Sequence, residues 1–200
     1  MSVQTNRLQV IILAALFCVL AAACVTLVLT MGVGGRAPQQ TSLIGGDFSL
    51  VNQDGKPITQ ATFLGKPTAY FFGYTNCPDA CPTTLTDMTD RLKALGPDGD
   101  KFNVVFISVD PGRDTPQLLK SYLESFDPRI TAATGTPEQV ADVVKKFRVY
   151  VKKVGEGDSY TFDHSTAVYM MDAKGNLVTL IDYQAPRDEA IEKMRRALES

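Results

Sequence analysis

The sequence predicts an α/β domain with a mixed central sheet, preceded by one transmembrane helix. Three observations support this fold class. Residues 10–31 form one uncharged apolar run, and two further apolar runs, at residues 67–75 and 102–109, are each followed by apolar side chains at helical spacing. Near the C-terminus, a predicted hairpin precedes a helical pattern over residues 186–198. Strands that alternate with helices and end in a hairpin and a helix are typical of an α/β sandwich.

The run over residues 10–31 is predicted to be an uncleaved membrane anchor. As a helix rising about 1.5 Å per residue it would be roughly 33 Å long, which suffices to cross the hydrocarbon core of a bilayer. A cleaved signal peptide is the alternative, because Ala21–Ala23 before Cys24 resembles a processing or lipidation site. The apolar run continues beyond that point and exceeds an ordinary signal core of about 7–15 residues, which favours the anchor.

The charges that flank this run set its predicted orientation. Arg7 precedes it and Arg36 follows it, so we expect residues 1–9 to stay in the cytoplasm and the rest to be exported. No Arg-rich and Ser-rich presequence precedes the run, which disfavours an organelle precursor. The predicted location is therefore the bacterial inner membrane, with a single span and the C-terminal domain in the periplasm. Cys18 and Cys24 inside the span are expected to be apolar fillers.

Residues 32–42 are polar and rich in glycine and glutamine, which predicts a linker, and residues 43–200 are predicted to form one folded domain. The whole chain has 200 residues and is 44% hydrophobic, enough for a domain of this size to bury its own core. Its formal net charge is −2, with both signs scattered, so we expect no nucleic-acid partner.

The first elements of the domain are predicted to be a hairpin, a buried strand and a helix. Residues 48–51 and 56–58 flank an Asp-Gly pair, which is a hairpin signal. Residues 67–75 form a near-continuous apolar and aromatic run, as expected for a strand buried on both faces. Residues 82–95 then place leucine and methionine at helical spacing, and Pro82 suits the first turn of that helix.

The rest of the domain continues this alternation. Residues 102–109 are predicted to be the second central strand, and the pair Thr115-Pro116 is expected to cap and start a helix that runs to Phe126. The remaining predicted elements are a strand at 130–133, a helix at 136–147, a hairpin of strands 149–154 and 160–162, a second hairpin of strands 166–171 and 177–182, and a helix at 186–198.

Cys77 and Cys81 lie between the first central strand and the helix that follows it. At this spacing the two thiols are expected to meet across one helical turn. Backbone N–H groups and the helix dipole favour anions there, so we expect the pKa of Cys81, and also that of Cys77, to be lowered. Thiolates bind metals and also exchange disulfides, and in an oxidising compartment the pair can form a Cys77–Cys81 disulfide.

His164, the single histidine of the chain, is predicted to lie just before a strand at the same edge of the sheet. Two thiolates and one imidazole are a donor set suited to copper, with zinc as the alternative. A closed structural zinc site normally has four protein ligands, whereas three are clear here, and this favours copper. Asp163 or a backbone carbonyl is expected to orient the imidazole ring.

Three separated motifs resemble the Sco/SenC family: GYTNCPDACP at residues 73–82, SVDPGRDTP at residues 108–116 and DHSTA at residues 163–167. The resemblance covers nearly the whole exported region. It implies a thioredoxin-like fold and a membrane-anchored copper chaperone for cytochrome c oxidase assembly, carrying Cu(I) or Cu(II). It also implies a periplasmic copper donor, copper delivery to the CuA centre of oxidase subunit II, and reduction of that subunit's cysteines. The positions that match the family's copper ligands are Cys77, Cys81 and His164.

We therefore expect a metallochaperone rather than a turnover enzyme. The alternative is a thiol–disulfide oxidoreductase that acts on exported proteins, with Cys77 and Cys81 as its redox-active thiols. Three residues separate these cysteines where thioredoxins have two, which counts against that alternative. A peroxidase of similar fold is a third possibility, but this chain has no Pro-x-x-x-Thr-x-x-Cys arrangement to support it. Asp110–Pro116 are expected to form a turn and a helix cap outside the metal site, with an indirect role in that site as the alternative.

Overall fold

The computed structural model describes residues 7–30, 43–157 and 159–200. The chain divides into two units, residues 1–40 and residues 41–200. The described helices and strands are α1 (Arg7–Thr30), β1 (Ser49–Asn52), β2 (Pro57–Thr59), β3 (Thr68–Gly73), α2 (Ala80–Ala94), β4 (Asn103–Ser108), α3 (Pro116–Leu123), β5 (Ile130–Thr134), α4 (Pro137–Lys146), β6 (Val151–Val154), β7 (Thr161–His164), β8 (Val168–Met171), β9 (Leu177–Ile181) and α5 (Arg187–Leu198). Two 3-10 helices, Gln60–Phe63 and Gly96–Lys101, follow β2 and α2.

The first unit contributes helix α1 to the described part of the chain. Across all described residues, no helix meets the combined length and apolarity needed to cross a membrane. The predicted transmembrane span over residues 10–31 is thus unconfirmed and stays a prediction. The predicted linker, residues 32–42, lies outside the described residues.

The second unit is built on a mixed sheet whose seven described strands have the order β2-β1-β5-β4-β3-β8-β9. β3 runs parallel to β4, and β4 to β5, whereas β8 is antiparallel to β3. Every residue of β3 is buried, because its side chains alternate between two covered faces. Phe71 packs with residues of α2, α3 and α5 on one face, and Phe72 packs with residues of α4 on the other. The predicted α/β sandwich with a mixed sheet is confirmed.

The predicted strands and helices of this unit are all found, with their ends shifted by at most three residues. The cap of α3 is also as predicted, since the Thr115 side chain accepts a hydrogen bond from the Leu118 N–H and Pro116 lies in the first turn. The hairpin formed by β6 and β7 does not join the central sheet but makes a separate two-stranded sheet. This hairpin ends in His164, which was predicted to lie in a loop before a strand.

Candidate metal centre

The candidate site lies where the carboxyl ends of β3 and β4 meet, with Gly73 paired to Ser108. The loop after β3 carries Cys77 and leads into α2, and the loop after β4 begins at Val109. The β6–β7 hairpin contacts the first of these loops, because the Phe162 N–H donates a hydrogen bond to the Tyr74 hydroxyl at 3.3 Å. Two loops of the central sheet and one separate hairpin therefore build the site together.

The two cysteines lie in different secondary structure. Cys81 is in the first turn of α2, whereas Cys77 precedes that helix in the loop. The two sulfurs do converge as predicted, but not across one helical turn, because only Cys81 lies on the helix. A turn in which the Cys77 N–H donates to the Tyr74 carbonyl at 3.2 Å directs Cys77 back towards the helix. Cys81 is fully buried and Cys77 is half-buried, and both are free thiols in this structure.

Gly73, the last residue of β3, makes room for the buried thiol. A Cβ atom at this position would lie 2.5 Å from Cys81 Sγ and 2.9 Å from a ring carbon of Phe106. Neither neighbour has space to retreat in a closely packed core. This role of Gly73 was not predicted from the sequence. The signal that could have found it is a glycine that ends an otherwise bulky buried strand, which often marks a close approach by another group.

His164 faces the thiols from the end of β7, where it pairs with Val151 of β6. Its Nδ1 lies 2.9 Å from the Ser165 carbonyl, so that nitrogen carries the proton and donates it. Nε2, on the other side of the ring, faces the thiols at 3.6 Å from Cys81 Sγ. The predicted orienting partner is thus a backbone carbonyl rather than Asp163. The two sulfurs and one ring nitrogen all lie within 4.8 Å of one another.

Hydrogen bonding separates the acidities of the two thiols. Hydrogen bonds from the Cys81 thiol, from the His164 ring and from the backbone N–H groups of Asp79 and Cys81 lower the pKa of Cys77, although burial opposes them. Cys81 donates to Cys77 and is buried, and both effects raise the pKa of Cys81. The predicted lowering is confirmed for Cys77 and wrong for Cys81, because donation and burial outweigh the helix dipole there.

Aromatic rings line the imidazole side of the site. The Tyr74 ring packs edge-on to the His164 ring at 5.8 Å, and the Phe71 ring lies 6.4 Å away. Within the described residues, no fourth cysteine, histidine or carboxylate joins the three donors. Two soft sulfurs and one nitrogen in a partly apolar, partly open pocket match the preference of copper better than that of structural zinc.

The SCO1/SenC family profile matches residues 36–199. This chain belongs to the SCO1/SenC family. The SCO2-like protein of Rickettsia conorii is 38% identical over 155 residues, which cover 76% of each chain. ScoI of Bradyrhizobium japonicum, solved with copper bound, is 47% identical, with a TM-score of 0.72 over 78% of this chain and 99% of that one. BsSco, described as a member of the Sco family of cytochrome c oxidase assembly proteins with a disulfide switch, is 25% identical, with a TM-score of 0.64 over 78% of this chain and 94% of that one.

These family members confirm the thioredoxin-like fold that the resemblance implied. One part of the family motif behaves differently from the prediction. Asp110–Pro116 were expected to form a turn and a helix cap outside the metal site, and they do form both. However, the buried Asp114 side chain also contacts Thr75, two residues before Cys77, and the partly exposed Arg113 side chain contacts Tyr160, directly before β7. No local pattern reveals such contacts, because their partners are distant in the sequence.

Proposed function

We propose that this protein binds copper through Cys77, Cys81 and His164 and serves as an assembly factor that delivers copper to cytochrome c oxidase. The observation that carries the proposal is the convergence of two sulfurs and one imidazole nitrogen within 4.8 Å. Membership of the SCO1/SenC family and the copper-bound structure of the Bradyrhizobium relative support copper as the cargo.

The three side chains have different roles in capture. Cys77, with its lowered pKa and partial exposure, offers a thiolate to an incoming ion at neutral pH. Cys81 loses its proton on binding, because a coordinated thiol is deprotonated by the metal charge. His164 offers Nε2 to the ion, since its Nδ1 is engaged with the Ser165 carbonyl. Copper supplies the charge that holds the two thiolates together, and the protein supplies their positions.

The acceptor in this proposal is the CuA centre of oxidase subunit II, and the source is a periplasmic copper donor. The proposed layout is a cytoplasmic segment (1–9), a membrane anchor (10–31), a linker (32–42) and the copper-binding domain (43–200). The uncharged sequence of residues 10–31 and the exposed apolar side chains of α1 support the anchor. Alkaline carbonate extraction tests it: the full-length protein should stay in the membrane pellet, whereas a processed soluble form would indicate a signal peptide.

Copper retention by the full-length protein in detergent tests the site. The reduced protein should hold one Cu(I) against a competing chromogenic chelator, and Cys77→Ser and Cys81→Ser should abolish that retention. Cys18→Ser is the matched control, because it removes a thiol from α1 and should change nothing. Cells that carry either site variant should lose oxidase activity. Full copper retention in both site variants would place the metal elsewhere and refute the proposal.

Thiol–disulfide exchange is the second candidate function. A half-exposed thiolate at Cys77 next to a buried thiol at Cys81 suits an attacking and a resolving thiol. Cys77 would attack a client disulfide and release one client thiolate, and Cys81 would then attack the Cys77 sulfur and release the second. The client gains two electrons and the protein is left with a Cys77–Cys81 disulfide. Because the sulfur electrons are then committed to that bond, oxidised protein should no longer bind copper.

His164→Ala separates the two functions. The imidazole has no required role in simple disulfide exchange, so the variant should still reduce a client disulfide while copper binding and oxidase maturation fail. If the variant binds copper and matures oxidase normally while both cysteine variants fail, thiol exchange becomes the better account.

A further inference from the structure

The turn that follows β4 contains a buried carboxylate that holds the cysteine loop. The Asp114 side chain is only 1% exposed. Its Oδ1 accepts a hydrogen bond from the Thr75 hydroxyl at 2.6 Å, and its Oδ2 accepts one from the Thr75 N–H at 3.0 Å and one from the Ser108 hydroxyl at 2.6 Å. Thr75 lies two residues before Cys77 in the chain. Asp114 therefore fixes the backbone from which the Cys77 thiol projects.

The same turn holds the hairpin that carries His164. Asp110, which is 2% exposed, accepts a hydrogen bond from the Tyr160 hydroxyl at 2.7 Å and pairs with the Arg113 guanidinium. Arg113 Nη1 donates to the Tyr160 carbonyl at 3.0 Å, and the guanidinium lies over the Tyr160 ring at 3.7 Å from its centre. Tyr160 directly precedes β7, the strand that ends in His164.

The hairpin needs such contacts because it is a two-stranded sheet on its own. Two strands alone are marginally stable in water. Backbone hydrogen bonds between β6 and β7 set the local register of His164, but they do not fix where the hairpin stands relative to the thiols. Arg113 fixes one end of β7 through the Tyr160 backbone and ring, and Tyr74 fixes its middle through the Phe162 N–H.

We propose that Asp114 and the Asp110–Arg113 pair are positioning residues for the metal centre, each acting on one side of it. Asp114 sets the loop that carries Cys77, and the Asp110–Arg113 pair sets the hairpin that carries His164. This inference rests on the copper site proposed above. Burying two carboxylates is costly unless each accepts several hydrogen bonds, as both do here. That cost is reasonable where the bonds hold two separate segments of the chain in one arrangement.

Loss of the Asp114 contacts and loss of the Arg113 contacts should change the affinities for Cu(I) and Cu(II) differently. Asp114 acts on a thiolate, which both Cu(I) and Cu(II) use, so its loss should weaken both. Arg113 acts on the imidazole, the harder donor, so its loss should weaken Cu(II) more than Cu(I). If these residues only stabilised the fold, their loss would lower the affinities for Cu(I) and Cu(II) equally, and only in proportion to the loss of domain stability.

A second buried ion pair provides a matched control. Asp127, which is 6% exposed, accepts hydrogen bonds at 2.8 Å from both Nε and Nη2 of Arg129. It lies just before β5, whose first residue, Ile130, pairs with Val104 near the amino end of β4. This pair is therefore at the opposite edge of the sheet from the thiols. Asp127→Asn and Arg129→Lys remove comparable buried interactions without contact to the site.

The test compares Asp114→Asn and Arg113→Lys with these two controls in the full-length protein in detergent. The readouts are the urea midpoint, Cu(I) affinity by chelator competition, and Cu(II) binding by its EPR spectrum and thiolate charge-transfer band. Changes to groups that orient metal ligands typically cost about 10–100-fold in metal affinity. We expect that loss for both ions in Asp114→Asn. In Arg113→Lys we expect it for Cu(II), with a shifted EPR spectrum, and a smaller loss for Cu(I). The controls should stay within about twofold of the unmodified protein.

Thr75→Val provides a milder variant should Asp114→Asn fail to fold, because it deletes one hydrogen bond to Asp114 and keeps the side-chain shape. The rate of Cys77 alkylation at fixed pH depends on the surroundings of the thiol, so it reports a shift of the cysteine loop in the absence of metal. It should change in Thr75→Val and Asp114→Asn but not in Asp127→Asn. Absence of copper binding in the unmodified protein refutes the proposed function alone, since alkylation still tests the positioning. Equal effects of site and control variants, at equal loss of stability, would overturn the inference.

Discussion

The thiol side and the imidazole side of the candidate centre are built from very different parts of the domain. Cys81 is fully buried in the first turn of α2, packed against the end of the central sheet. His164 is half-buried and lies on a hairpin outside that sheet. The thiol side thus lies within the main core, whereas the imidazole side is held at its margin by the packing of Val151 and Phe162 and by side-chain hydrogen bonds.

This difference indicates how each side should respond to change. A perturbation of the thiol side must also disturb the core, because the same atoms that surround Cys81 fill the space between sheet and helices. The hairpin can shift or lose its histidine while the sheet stays folded, since small peripheral units open locally at lower free energy than the core. Changes on the thiol side should therefore affect metal binding and folding together, whereas changes on the imidazole side can affect metal binding without affecting folding.

Gly73→Ala should have the largest effect, because it should both destabilise the fold and displace the Cys81 thiol. The added Cβ would lie 2.5 Å from Cys81 Sγ, and such overpacking costs about 1–3 kcal/mol of stability. We expect a lower urea midpoint and loss of Cu(I) retention. Gly99→Ala is the control, because its Cβ would overpack against the Leu92 carbonyl beside Arg129, away from the thiols, and should lower the urea midpoint without loss of Cu(I) retention. A Gly73→Ala protein that is as stable and binds copper as well as the unmodified one would show that the thiol side is not tied to the core.

His164→Ala should break the site while sparing the fold. The Cu(II) affinity should fall by at least about 100-fold, since the loss of a ligand exceeds the effect of losing a group that orients one, and the Cu(I) affinity should fall less. The free energy of unfolding should change by less than about 1 kcal/mol, because the side chain is half-exposed. Urea titration and competition with chelators for each ion measure both quantities. Unfolding of this variant would contradict the separation of the two sides.

The pH dependence of alkylation should distinguish Cys77 from an ordinary thiol. Only the thiolate reacts, so the rate for an ordinary cysteine, with a pKa near 9.0, rises about tenfold per pH unit at neutral pH. Because the folded protein lowers the pKa of Cys77, its rate should stay flat from about pH 6 to about pH 8 and become steep when urea unfolds the domain. Cys81→Ala removes the largest cause of that lowering and should steepen the native profile. Peptide mapping by mass spectrometry assigns the label, and a steep native profile at Cys77 would contradict the hydrogen-bonding account.

Tyr183→Phe should have the smallest effect. The Tyr183 hydroxyl donates to Asp79 at 3.2 Å in an exposed position beside the cysteine loop. Surface substitutions of this kind stay within about 0.5 kcal/mol, so we expect no measurable change in the urea midpoint or in Cu(I) affinity. A clear loss of copper affinity would mean that the loop depends on its surface contacts as well as on the core beneath it.

The parts that could be predicted from the sequence are those set by local pattern or by chemical type. The unbroken apolar runs identified β3 and β4, because a strand that is buried on both faces has apolar residues at nearly every position. The thiols and the single imidazole identified the candidate donors, since few other side chains suit copper. Thr115 before Pro116 identified the start of α3 through a capping contact three residues long.

The parts that could not be predicted depend on contacts between distant segments. Asp114 was assigned to a turn because its main partner, Thr75, is 39 residues away. The pKa of Cys81 was predicted with the wrong sign, because its burial and its bond to Cys77 outweigh the local helix dipole. The β6–β7 hairpin gave a correct local signal, yet nothing in its residues indicated that it would stay outside the central sheet.

The unequal exposure of the two sulfurs imposes an order on the exit of a bound ion. A ligand side chain of an acceptor protein cannot reach the ion from the Cys81 side, because Cys81 is fully buried between the sheet edge and the helix. It must approach beside Cys77 and His164, the two groups that reach the surface. In the proposed copper transfer, an acceptor would therefore replace Cys77 and His164 first, and the Cys81 sulfur would be the last ligand to leave. The ion would then be shared between the two proteins before it leaves this one.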